Sequence, residues 1–504
     1  MLFTQDATYY AQQIREGLVS SESLVRRSFE NIERLNPLLN AVTVIEFDQA
    51  IKRAQELDRA FKAMSKEEKV ALPYFYGVPI LLKDLGQNQA GELSTNGARL
   101  TQHTVASQTD LFVIQIETAG FVVVGRTNTP EFGFKNISDS ELHGAVRSPF
   151  DLTRNPGGSS GGAAAALKAG LVPIVTASDG GGSIRIPASF TGLIGLKPSR
   201  GRIPVGPNGY RSWQGASINF SLTKSVRDTF EMLKALQVEQ LEAPFSLPTI
   251  QAEKLDLPNR PLKIAFTLTS PIGTEVSQEA QAAIKKAIKY LKALGHHLVE
   301  AKPEIDGVKA MESYYQMNSV ETAAMMQGIE KSLGRDLVRN DMELMSWALY
   351  RAGLKISGVS FTKVLDYWDH LTVTSEKFFK SQQIDALLMP TTNNIAPLQD
   401  EFSLTEAMKK QLSIIDEYET GEQQRLIWEM FETSLAYTPF TQQQNLTGQP
   451  AISLPMYETE ANMPIGIQLS ASKGQEMTLL QLALQLEEAG LLNNESISMT
   501  SLME

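Results

Sequence analysis

Between Gly157 and Arg185 the chain reads GGSSGGAAAALKAGLVPIVTASDGGGSIR, with two glycine clusters that each carry serine. Gly157-Gly158 and Gly161-Gly162 flank Ser159 and Ser160, and Gly180-Gly181-Gly182 run into Ser183. Glycine admits positive φ and close backbone approach to a ligand, at an entropic cost that a merely structural loop has little reason to carry twice. Between the clusters, AAAALKAG is a helix by propensity with Gly170 at its end, and LVPIVTAS is a buried strand. That order of loop, helix, strand and loop folds both serine segments back onto one place, the candidate active site.

Around this stretch the chain alternates strands with helices of 10 to 15 residues. GVPILLKDL is a buried strand ending at Lys83 and Asp84, followed by a helix near Asp110 to Ala119 and a strand FVVVG. GLIGLKPSRG adds a short strand and a turn, and SVRDTFEMLKALQ another helix. The alternation predicts an α/β fold with a large, parallel or mixed, twisted sheet and helices on both faces. Residues 1–70 read as an N-terminal helical wrap, with Ser20 or Ser21 as an N-cap, and 71–240 as the core. Residues 241–440 form a helix-rich lobe with a few strands, among them LKIAFTL and IDALLMP. Residues 441–504 return to the core through NLTGQPAISLP, MPIGIQLSA and a last helix. The lobe is rich in Met and aromatics, including Met311, Tyr314, Met325, Met326, Trp347, Trp368 and Trp428. Most of these read as packing of the lobe, and as a set they favour a bulky apolar substrate over a small charged one.

Composition narrows the chemistry. The 504 residues carry a formal net charge of −11, which argues against a nucleic-acid or anionic-membrane surface. No apolar run approaches the roughly 20 residues that span a bilayer, and the N-terminus lacks a signal-peptide pattern, so a cytoplasmic location is expected. Cysteine is absent, which removes thiolate nucleophiles, and the five histidines show no metal-ligand spacing; no metal and no cofactor are expected. A homodimer stays open.

Without thiol or metal, an acyl-transfer site needs a hydroxyl nucleophile, a base, and donors for the oxyanion. Ser183 follows three glycines, so unhindered backbone N–H groups can meet at one carbonyl oxygen beside it. The base is a histidine or a lysine. His143, in SELHG, is the histidine nearest the serine loops in sequence and carries no motif, whereas Lys83 ends an apolar strand. A lysine must fall from about 10.4 to about 7–8 to act as a base, about 4 kcal/mol, which desolvation can supply. Asp84 would oppose that shift, so it is expected on the opposite face of the strand.

These stretches resemble the amidase signature family: PGGSSGGAAAAL, SDGGGSIRIPASFTGLIGLKPSRG and YGVPILLKD match its GGSSGG loop, its D-x-GGS-x-R-x-P segment and its upstream lysine. The resemblance extends to SSESLVRRSFENIERLNPLLNAV and to NLTGQPAISLP with IGIQL, and it is thinnest over roughly 240–430. It implies an amidase that hydrolyses a small-molecule amide with water through an acyl-enzyme. Ser183 would be the nucleophile, Ser159 the proton-relaying serine after a cis peptide bond, and Lys83 the base. The N–H groups of Gly180, Gly181, Gly182 and Ser183 would form the oxyanion hole. Asp179 and Arg185 would pair to brace the loop, and Ser160 would hydrogen-bond to Ser159. SDGGGSIRIPAS with LKPSRGRIP looks most like the branch containing 6-aminohexanoate cyclic dimer hydrolase, which points to an apolar or cyclic amide.

Two other readings compete. The A subunit of glutamyl-tRNA amidotransferase shares the fold but would need a cationic group for the glutamine carboxylate and a docking surface for a partner. A catalytically silent scaffold would be expected to have lost a relay residue, and Lys83, Ser159 and Ser183 are all present. A phosphate-binding role fails because neither loop fits G-x-x-x-x-G-K-[ST].

Overall fold

A computed structural model describes residues 1–493 and Ile497; the last residues of the 441–504 segment lie outside them. The strands are β1 (Val42–Ile45), β2 (Pro79–Lys83), β3 (Val122–Thr127), β4 (Asp139–Ser140), β5 (Gly144–Ala145), β6 (Val175–Asp179) and β7 (Ile194–Lys197). They continue as β8 (Ile218–Thr223), β9 (Lys263–Phe266), β10 (His297–Glu300), β11 (Ala386–Pro390), β12 (Ala451–Glu458) and β13 (Pro464–Ser470). Eleven of them form one sheet in the order β1-β3-β2-β6-β8-β7-β12-β13-β11-β9-β10, while β4 and β5 make a separate hairpin. The sheet is mixed: β2 lies parallel to β3 and β6, and β9 parallel to β10 and β11. Every pairing from β6 through β8, β7, β12 and β13 to β11 is antiparallel.

The α/β expectation holds, with helices packed on the sheet, and three strands join it that the hydrophobic pattern alone does not mark. β1 lies within the N-terminal helical segment, where the β-branched run VTVI pairs antiparallel with β3 at the sheet edge. β8 inserts between β6 and β7, and β10 is a half-exposed edge strand beside β9. Each is short or partly polar, so tertiary pairing rather than a local apolar run places it.

Helix caps follow the sequence. The Ser20 hydroxyl accepts from Ser23 N–H at the start of helix Ser21–Leu39, and Ser225 does the same from Asp228 N–H for helix Val226–Leu236. Helix Gln278–Ala293 buries Ala280, Ala283, Ile284, Ala287 and Leu291 along one face. The largest apolar cluster runs from Leu2 to Leu492 across both sides of the sheet. Separate clusters form where helices Gly307–Leu333, Leu344–Gly353, Gly358–Ser381 and Thr420–Tyr437 pack on one another, taking up Met326, Trp347, Trp368 and Trp428. Among the described residues no helix is long and apolar enough to cross a membrane.

Helix Gly161–Lys168 is buried over its whole length, and its second residue touches backbone directly. A Cβ on Gly162 would stand 2.5 Å from both the Ala41 carbonyl oxygen and the Asn128 nitrogen. Since these are backbone atoms, relief requires chain movement, and overpacking of this kind costs roughly 1–3 kcal/mol. Gly162→Ala should therefore lower the apparent melting temperature measurably in a thermal scan, whereas Gly209→Ala, with nothing within 4 Å of its added Cβ, should not.

Candidate active site

β2 and β6 run side by side, and their C-terminal ends deliver Lys83 and Asp179 to the same edge of the core. The Lys83 N–H is held by the Gln87 side-chain oxygen at 2.8 Å and the Thr176 hydroxyl at 3.1 Å. Its side chain is fully buried, and Nζ lies 2.7 Å from Ser159 Oγ and 2.9 Å from Ser178 Oγ. Desolvation brings the amine down to about 7, against the opposing charge of Asp179. Asp84 sits apart from this contact: Thr95 supplies both a backbone N–H, at 2.9 Å, and its hydroxyl to the carboxylate. His143 is on that far side too, with Nε2 3.0 Å from Thr95 Oγ1, and it makes no hydrogen bond to either loop serine.

The first serine loop closes over the lysine. The peptide bond Gly158–Ser159 is cis. Ser138 clasps the loop, its hydroxyl donating to the Gly157 carbonyl at 3.1 Å and accepting from Gly161 N–H at 3.0 Å. Ser160 departs from the expected contact with Ser159. Its hydroxyl donates to the Ser178 carbonyl and accepts from the Ser178 N–H, both at 3.3 Å. The cause is directional: Ser160 is the N-cap position of helix Gly161–Lys168 and faces β6, so it braces the lysine's second partner instead.

The second loop hangs on a buried ion pair. Arg185 donates through Nε to Asp179 Oδ2 and through Nη2 to Oδ1, each at 2.9 Å, and both side chains are fully buried. Burial alone would raise the Asp179 carboxyl, but the charge and hydrogen bonds of Arg185, with Asn445, hold it at about 2. Arg185 also reaches Gln468 at 2.7 Å, Gln444 at 3.2 Å and Asn445 at 2.7 Å. Gly182 N–H donates to Asp179 Oδ1 at 2.7 Å, so one of the four N–H groups expected at the oxyanion is already committed to the brace. Among the described residues, no acceptor takes the N–H of Gly180, Gly181 or Ser183.

Ser183 is half-buried and lines the same cavity as Ser159, Ser178, Gly180 and Gly181, and no hydrogen bond joins its hydroxyl to Ser159. The cavity is walled by Leu85, Phe132, Phe134, Trp213, Met311, Tyr314 and Phe431, among others. Four side chains here escape motif reading. Ser178 and Thr176 are polar residues at i and i+2 of a buried strand, which places them on one face, and that alternation is a usable signal. Asn445 and Gln468 come from distant segments and show no local sign of their role.

Comparison with known proteins gives a consistent picture. The amidase family matches residues 23–480. The chain is 39% identical to a lipoamidase of Enterococcus faecalis over 97% of its own length, spanning 63% of that longer protein. It is 32% identical to the 6-aminohexanoate-cyclic-dimer hydrolase of Paenarthrobacter ureafaciens, covering 96% of this chain and 94% of that one. A solved structure of 6-aminohexanoate cyclic dimer hydrolase complexed with substrate superposes with a TM-score of 0.86 at 31% identity, over 97% of this chain and 98% of the other.

Removing one partner of a buried ion pair strands the other charge, which costs about 3–5 kcal/mol. Arg185→Ala should therefore lower the apparent melting temperature far more than Arg351→Ala, which breaks a solvent-exposed pair with Asp416. The Asp179 carboxyl, lowered from 3.8 to about 2, stabilises the fold fully above its unfolded value and loses that contribution as pH falls through about 2. Acid melts between pH 4 and 2 should show this dependence in the wild type and lose it in Asp179→Asn.

Proposed function

This chain belongs to the amidase signature family of amide-hydrolysing enzymes, and we propose that it cleaves an apolar or cyclic carboxylic amide through a Ser183, Ser159 and Lys83 triad. The observation that carries the reading is the contact of a fully buried lysine, lowered to about 7, with Ser159 in the cavity that holds Ser183. At that value a substantial fraction of Lys83 is neutral near pH 7. Its lone pair accepts the Ser159 proton while one N–H stays on Ser178. Ser159 in turn takes the proton of Ser183, whose hydroxyl turns towards it as it attacks the carbonyl carbon. The developing oxyanion is met by the N–H groups of Gly180, Gly181 and Ser183, since Gly182 is held by Asp179.

Collapse of the tetrahedral adduct breaks the C–N bond, and the proton on Lys83 returns through Ser159 to the leaving amine. Water then attacks the acyl-enzyme by the same relay in reverse and releases the carboxylic acid. Met311, Tyr314, Phe431 and Leu435, all from the 241–440 segment, line the cavity and support its reading as the substrate-shaping lobe. The aromatic and aliphatic side chains in the wall suit an acyl group with apolar surface, and the names of the relatives point to two concrete trials, lipoamide and the 6-aminohexanoate cyclic dimer.

A serine-reactive fluorophosphonate should label Ser183, located by peptide mass spectrometry, and Ser183→Ala should lose both label and turnover. Lys83→Ala should lower kcat/KM by about 10²–10⁴-fold with the fold intact. Labelling elsewhere, or full turnover in Ser183→Ala, would falsify the triad.

The pH profile offers a separate check. Because the working form of Lys83 is the neutral one, kcat/KM should rise about tenfold per pH unit below about 7 and level off above it. A rate that falls through the same range would require a protonated group in the base's place.

A further inference from the structure

Gly181 in the second loop faces two side chains that belong to neither the triad nor the brace. A Cβ built on Gly181 would stand 2.7 Å from the Tyr314 hydroxyl and 3.7 Å from Gln442 Cγ. Tyr314 comes from the middle of helix Gly307–Leu333, and Gln442 opens helix Gln442–Thr447. Both line the catalytic cavity. The Tyr314 hydroxyl has no hydrogen-bond partner among the described residues, and burial pushes its ionisation upward, so it stays a neutral donor. Gln442 is 8% exposed, and its Oε1 is buried with no partner. A buried amide oxygen without a donor carries an uncompensated desolvation penalty, which a ligand N–H would relieve.

Resting on the acyl-transfer reading above, we propose that Tyr314 and Gln442 read the scissile group itself. The Tyr314 hydroxyl donates to the carbonyl oxygen beside the Gly181 N–H, and Gln442 Oε1 accepts the substrate N–H. Gln442 thereby selects amides that carry an N–H over the matching esters and tertiary amides, while Tyr314 serves any acyl carbonyl and makes position 181 a glycine, because a Cβ there displaces its hydroxyl.

The test uses one acyl group presented as an anilide and as the matching phenyl ester, with Tyr314→Phe and Gln442→Met. Tyr314→Phe should lower kcat/KM about tenfold on both substrates, mostly in kcat, leaving the amide-to-ester ratio unchanged. Gln442→Met should lower that ratio about tenfold. Gly181→Ala, which keeps both Tyr314 and Gln442 in the sequence but displaces the Tyr314 hydroxyl, should reproduce the Tyr314→Phe loss and guards against a folding defect in either variant. End-point labelling of Ser183 by fluorophosphonate should persist in all three. Wild-type kcat/KM in Tyr314→Phe, or an unchanged ratio in Gln442→Met, overturns the proposal while leaving the triad standing. Failure to label Ser183 in the wild type overturns the triad instead.

Discussion

The pair between Asp179 and Arg185 is the contact on which the second serine loop depends. Its two charges are wholly out of water, a state that becomes tolerable only when nearly every lone pair and N–H is satisfied. Here Asp179 also receives Gly182 N–H, Ile184 N–H and Asn445, while Arg185 reaches Gln444, Asn445 and Gln468. The loop is thereby tied to the C-terminal strand β13 and to helix Gln442–Thr447, so its backbone N–H directions are set by residues far along the chain. Committing Gly182 to this network leaves Gly180, Gly181 and Ser183, which line the cavity, with N–H groups that no acceptor takes among the described residues.

The same pair conditions the lysine. Asp179 is the charge that opposes the lowering of Lys83, and a carboxylate already matched by a guanidinium opposes it less. Lys83 drops from 10.5 to about 7, about 5 kcal/mol of preference for the neutral amine. That preference arises from burial between β2, β6 and the first serine loop. Ser160, which braces Ser178, and Gln87 with Thr176, which hold the Lys83 N–H, keep the amine in one position. Asp84, adjacent in sequence, exerts no comparable pull because Thr95 holds its carboxylate elsewhere.

Much of this was readable from the chain because it depends on neighbours in sequence. Apolar runs mark β2, β3, β6 and β11, capping serines mark helix starts, and the glycine clusters mark the loops that line the cavity. β8 and β10 escape such reading because half of their character comes from the strands they pair with. Ser160 and Gly182 are instructive for a different reason. Both lie within recognisable motifs, yet their hydrogen bonds go to partners chosen by orientation, and a motif specifies spacing without specifying direction.

By itself the sequence determined the α/β class, the serine and lysine groups available for acyl transfer, and the absence of thiol chemistry, since residue type and local periodicity are properties of the chain alone. Only the tertiary structure decided which N–H groups remain open, which serine holds Lys83 alongside Ser159, and which side chains of the helical lobe wall the cavity. Those outcomes depend on contacts between residues separated by up to 283 positions, as in the bond from Arg185 to Gln468, and on the burial such contacts create. Desolvation, which lowers the Lys83 amine to about 7, exists only once those distant segments have closed around it.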